Sequence, residues 1–215
     1  MTERPTAEAE QLRATLDGWL STEGRRWLDA ALERIGAEAT SVRTLFPAAG
    51  RRCGRARIDS RWTVDDAVRA ALLVALPLPT AELADEVVAL YRYGDAAEKR
   101  GVLRGLGFLD AQGGIGPEGL DLVLDALRTN DTRLIAAALG PYGASHLDAA
   151  AYRQGVLKCV FYGIPLSDID GLPWRADAQL ARMLADYARE REAAGRTVPA
   201  DVWQVRSAVS NLNES

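Results

Sequence analysis

Apolar residues recur at helical spacing from one end of this chain to the other, and no segment alternates apolar and polar residues cleanly between turn signals. A sheet needs that alternation or a run of β-branched residues, so the pattern directs the chain to an all-α fold. Leu12, Leu16 and Leu20 form one stripe, on a first helix expected from Thr6 to Leu20. Trp27, Leu28, Ala31, Leu32 and Ile35 form a second, ended at Gly36. Val42, Leu45 and Phe46 suggest a third, short helix stopping before Pro47.

Thr63 reads as an N-cap with Asp66 three residues on, and Ala67, Ala70, Ala71, Val74 and Leu76 as the apolar face of the helix that follows. Thr80 is expected to cap the next helix, which ends at Gly94, and another runs from about Asp95 to Phe108. Pro117 stands at the first position of a further helix, and helices are expected over 131–139, 148–162, Arg175–Ala194 and from Ala200 to about Asn211. Gly140 to Gly143 reads as a turn and 164–173 as a loop. Short connections favour antiparallel hairpins, stacked either as a HEAT-like α-solenoid or as an irregular helical bundle. Residues 96–106 and 150–160 agree at five of eleven positions, an echo that a repeat would leave and that alanine-rich helices also produce by chance.

We therefore expect a single all-helical domain over 1–215. It divides into an N-terminal helical cap at 1–46, an arginine-rich loop at 47–61 and a helical body at 62–215. The composition agrees, with 48% hydrophobic and 26% charged residues. Its net charge of -4 disfavours general binding to nucleic acid, which depends on neutralising phosphates. One histidine, His146, and two cysteines, Cys53 and Cys159, leave few ways to build a transition-metal site, and neither a metal nor a cofactor is expected. The cysteines lie too far apart for a CxxC pair, and a reducing cytoplasm is the expected location. No apolar signal core follows Met1, and the longest apolar run, Ala70 to Leu78, is nine residues with Pro77 inside it, too short to span a bilayer.

Gly114-Ile-Gly-Pro-Glu-Gly119 satisfies the spelling of a dinucleotide loop, but no strand precedes it and Pro117 removes an amide that would hold a pyrophosphate. Arg51, Arg52 and Arg55, with Arg57 and Arg61 behind them, form either a solvated linker or an anion-binding loop. Lys158 lies on an otherwise apolar helix, where it needs a carboxylate such as Asp168 or Asp170, or else runs along the stripe to solvent. Arg175, Arg182 and Arg189 recur every seven residues beside Asp177 and Asp186, giving a charged face that is either solvated or lines a groove. His146 and Asp148 could exchange a proton, although a capping or surface histidine is the simpler reading.

The C-terminal half resembles the EboA family. The resemblance rests on Asn130-Asp-Thr-Arg133, Tyr152 to Phe161, Gly163-Ile-Pro-Leu166 and Gly171-Leu172, and most of all on Arg175 to Arg191 with its Leu180-Ala-Arg-Met-Leu184 core. It continues through Gly195-Arg196 to Val202-Trp203 and covers about residues 130–203, with a looser likeness over Phe46 to Asp66. It implies a small cytoplasmic helical protein that takes part in making or exporting a secondary metabolite. Its expected neighbours are a sugar-phosphate-cyclase-like enzyme, a prenyltransferase-like membrane protein and TIM-barrel or hydrolase partners. The resemblance supplies no catalytic residues.

Two functions are open at this point. The first is a binding or adaptor protein that holds an anionic metabolite or a partner enzyme in a groove of Lys158, Arg175, Arg182 and Arg189, with Asp168, Asp170, Asp177 and Asp186 alongside. The second is a small enzyme acting on a phosphorylated or cyclitol-like substrate, with Lys158 or His146 and Asp168 or Asp170 as acid and base.

Overall fold

The computed structural model describes residues 7–203 and 205. Among the described residues there are helices and turns but no strand, and Arg57 and Thr63 form an isolated β-bridge. No described helix is long and apolar enough to cross a membrane. The chain divides after Ala126 into two compact units.

In the first unit, α1 (Ala7–Asp17) and α2 (Thr22–Ala37) bury most of the expected stripes, with Leu12, Leu16, Leu20, Leu28, Ala31 and Ile35 inside and Trp27 and Leu32 half-buried. Ser21 caps α2 by accepting from the Gly24 amide. A 3-10 turn (Ala39–Ser41) leads into α3 (Val42–Cys53). Here the sequence reading needs correction: Pro47 lies inside α3, and residues 47–53 are helical, not loop. Proline removes one helical donor, but Val42, Phe46 and Ala49 are fully buried on one face, and that burial outweighs the lost bond. Arg51 and Arg52 therefore lie in the last turn of α3, where positive charge meets the negative end of the helix dipole.

α4 (Val64–Val74) is the centre of this unit, packing against α1, α2, α3 and α6 (Ala96–Ala111). Every residue from Val64 to Leu73 is buried. Its approach to α6 depends on two glycines: a Cβ on Gly101 would lie 2.6 Å from Arg69 Cδ, and one on Gly105 would lie 2.8 Å from Leu73 Cδ1. α5 (Thr80–Tyr93) packs against α6, with Thr80 as its first helical residue and Pro79 in the capping position expected for Thr80. Asp95 caps α6 by accepting from the Ala97 and Glu98 amides, and Glu98 returns the bond to the Asp95 amide. α7 (Glu118–Arg128) begins just after Pro117.

In the second unit, Asp131 caps α8 (Thr132–Ala138) and Asp148 caps α10 (Ala149–Tyr162). Between them Pro141–His146 forms a short helix, α9, where a turn is expected. Proline at its first position supplies a helical φ, and Tyr142 and Ala144 anchor the turn in the core. A 3-10 turn (Leu166–Asp168) and the one-turn α11 (Leu172–Arg175) interrupt the expected loop. α12 (Ala178–Ala193) starts three residues later than expected, because Asp177 caps it through the Leu180 amide. Of the last expected helix, residues 200–203 and 205 are helical. Its remaining residues, and Thr6, lie outside the described ones.

Candidate functional site

The first turn of α4 places charge where the fold has least water. Asp65 and Asp66 follow Thr63, and Arg69 lies one turn on. Arg69 Nη1 donates to Asp65 Oδ2 at 2.7 Å and its Nε to the Phe46 carbonyl at 3.2 Å, with the guanidinium 5.6 Å from the Phe46 ring centre. Arg100, reaching from α6, grips Asp66 with Nε at 2.9 and 2.7 Å from the two carboxylate oxygens, and its Nη2 reaches Thr63 Oγ1 at 3.1 Å. Buried charges persist only when paired in this way.

Thr63 does not cap its own helix through its side chain; its hydroxyl faces the two carboxylates instead. Oγ1 stands 2.7 Å from Asp65 Oδ1 and 2.8 Å from Asp66 Oδ2, yet a hydroxyl carries one proton. One of the two contacts is therefore made good only when a carboxyl is itself protonated. Asp66 leans that way: burial raises it above the usual carboxylate range, against the opposing pull of Arg100.

Beside this network, where α3, α5 and α6 meet, lies a cavity of about 430 Å³. Pro47, Ala89, Leu90 and Tyr93 give it an apolar wall, while Arg43, Glu86 and Glu98 give it polar groups. Glu86 is nearly buried and takes a forked pair of hydrogen bonds from Arg43, with Nε to Oε1 at 2.9 Å and Nη2 to Oε2 at 2.7 Å. That bond, together with the charge of Glu86, pushes the pKa of Arg43 up. Gly94 brings Glu98 to the cavity, since a Cβ there would lie 2.6 Å from the Leu90 carbonyl oxygen and 2.8 Å from Glu98 Cβ. Tyr93 is 91% exposed, an unusual position for a large ring.

The residues expected to form a groove in the second unit are placed differently. Lys158 donates to the carbonyls of Leu127 and Thr129 at 2.6 and 2.7 Å, and neither Asp168 nor Asp170 is its partner. An ammonium has three donors, and a half-buried one is satisfied as well by carbonyls at a helix end as by a carboxylate. Arg175 donates to the carbonyls of Ala144 and Leu147 at 2.5 and 2.8 Å and lies over the Tyr152 ring at 4.5 Å. Tyr152 in turn donates to the Asp170 carbonyl at 2.6 Å.

Asp177 caps α12 and accepts from Arg153, and Asp168 is partly buried in the 3-10 turn. Arg182 bonds Gln179, and Asp186 pairs with Arg189 one turn on. His146 stacks on Tyr142 with ring centres 4.3 Å apart, and Asp148 is committed to its helix cap.

Arg51, Arg52 and Arg55 are all exposed, and Arg55 folds its guanidinium over Gly50. Gly114 to Gly119 joins two helices, without the strand that a dinucleotide site needs. Among the described residues no group of three His, Cys, Asp or Glu gathers to hold a metal ion.

A family model described as metabolite traffic protein EboA matches residues 50–207, more than half of the chain. No curated protein and no solved structure matches.

Proposed function

We propose, from the premise that this chain belongs to the EboA family of metabolite traffic proteins, that it binds a small molecule in the cavity of its first unit and carries or presents that molecule without transforming it. The observation that carries this reading is the cavity itself. Its volume of about 430 Å³ falls in the range of small-molecule sites, and an apolar wall with a few placed polar groups is their usual lining. Glu86 and Arg43 hold each other in position, so the polar end is ordered before any ligand arrives.

The acid-base alternative has weaker support. Lys158 is engaged by two carbonyls, His146 by a stacked ring and Asp148 by a cap. An anion-binding groove of Lys158, Arg175, Arg182 and Arg189 is likewise weakened, because the first two each direct two hydrogen bonds to backbone carbonyls. For the first unit, the enclosure of α4 by four other helices supports an irregular bundle over a HEAT-like stack, in which each repeat touches only its neighbours.

The test is a titration of the full chain with 2-phenylethanol, followed by the displacement of backbone amide resonances. Binding on the order of millimolar is expected for so small a probe. Ala89→Trp, which fills the cavity, should abolish it while the spectrum stays folded. Equal binding by Ala89→Trp would refute the assignment.

A further inference from the structure

We infer that the cavity selects an organic cation, an amine carried on an apolar body, over the neutral or anionic molecule of the same shape. This rests on the reading of the cavity as the ligand site. Three charged side chains line it, Arg43, Glu86 and Glu98, and the forked pair with Arg43 covers Glu86, whose side chain is only 8% exposed. That leaves Glu98 as the carboxylate that a ligand meets. Its Oε2 accepts weakly from the Asp95 amide at 3.4 Å, and its Oε1 makes no hydrogen bond among the described residues.

An anion would look instead to the N-terminus of α6, which lies at the same corner. The chain has already occupied those donors: Asp95 accepts from the Ala97 and Glu98 amides at 2.8 and 2.9 Å. Those bonds, the Glu98 amide first, together with the nearby charges of Arg69 and Arg55, hold Asp95 below the usual carboxylate range, so it is ionised beside Gly94. Tyr93 completes the site, since an exposed ring on the cavity wall offers a cation the negative face of its π system. An ammonium on a short stem can reach Glu98 Oε1 while its apolar body lies on Leu90 and Pro47.

Three probes of one shape test this on the full chain: phenethylamine, 2-phenylethanol and phenylacetate, each titrated to saturation by amide NMR. Phenethylamine should bind about tenfold more tightly than the alcohol, from one ring contact and one charge contact, and phenylacetate most weakly. Glu98→Gln keeps the reciprocal cap of α6, because glutamine serves at that position as well, and should bring the amine down to the affinity of the alcohol. Tyr93→Ala, at an exposed position, should weaken the amine more than the alcohol. Equal affinities, a preference for phenylacetate, or an amine preference that survives Glu98→Gln would overturn the inference. If the alcohol still bound and Ala89→Trp still blocked it, the cavity reading would stand alone. If none of the three bound, both readings would fall.

Discussion

Arg69 and Asp65 face each other one turn apart on α4, with Nη1 and Oδ2 at 2.7 Å and side chains only 1% and 0% exposed. Asp65→Ala would leave a guanidinium with its charge unmatched in the core. The expected loss is about 3–5 kcal/mol, read as a lower urea midpoint. Gly101→Ala tests the same packing from the other side. Arg69 is held by Asp65 and the Phe46 carbonyl and cannot retreat from the new methyl, so a loss of about 1–3 kcal/mol is expected.

The pH dependence of stability has two opposed contributions. Asp66 is raised above its ordinary value of 3.8, chiefly by burial. The folded chain therefore holds a proton there more readily than the unfolded chain does. The stability this contributes is complete below 3.8 and is lost as pH rises through the folded value. Asp131 is lowered, chiefly by its hydrogen bond from Arg133, so its contribution is present above 3.8 and is lost as pH falls through the folded value. Urea unfolding across pH should show the first slope vanish in Asp66→Asn and the acid-side slope soften in Asp131→Asn. The reverse pattern would contradict these assignments.

Lys158 and Arg175 are predicted to act on stability through the backbone they hold. Lys158→Ala leaves two carbonyls, those of Leu127 and Thr129, without their charged donor, and should cost about 1–3 kcal/mol. Arg175→Ala should cost a similar amount and also loosen Tyr152, whose ring it covers. Wild-type stability in both variants would return these residues to the pool of free surface cations.

Both thiols are predicted to be inert in the folded chain. Burial pushes Cys53 up to about 11 and Cys159 up to about 12, and only the thiolate is the nucleophile. Alkylation by iodoacetamide near neutral pH should be slow at Cys53, and at Cys159 should wait for unfolding. Rapid labelling of Cys159 under native conditions would show that α10 opens far more readily than its packing implies.

Much of the helical pattern can be read from spacing alone, because the stripes of α1 and α2 and the N-cap position of Thr63 are local signals. Pro47 reads as a stop by propensity, but the three buried side chains around it continue the helix, because tertiary burial is the larger effect. Spacing alone hides the buried network, because a charged residue at helical spacing reads by default to the solvent side. Its signal was present, however. Val64 to Leu73 carries seven apolar residues beside Asp65, Asp66 and Arg69, a density that favours enclosure, and charges on an enclosed helix need partners. The cavity had no such signal, since Arg43 comes from a helix 43 residues away from Glu86, and no periodicity links it to Glu86 and Glu98. The charged row of α12 illustrates the converse. Its seven-residue recurrence is real, yet Arg182 and Arg189 each turn to a neighbour on the same helix.

The proposed ligand site lies in the first unit and favours an amine. The most direct measurement is an amide NMR titration of the wild-type chain with phenethylamine and, separately, with inorganic phosphate. Phenethylamine should shift the amides of Leu90, Tyr93, Gly94 and Glu98 saturably, and phosphate should shift none. Saturable phosphate shifts centred on Lys158, Arg175, Arg182 and Arg189, with the cavity amides unmoved by the amine, would contradict the account and move the site to the second unit.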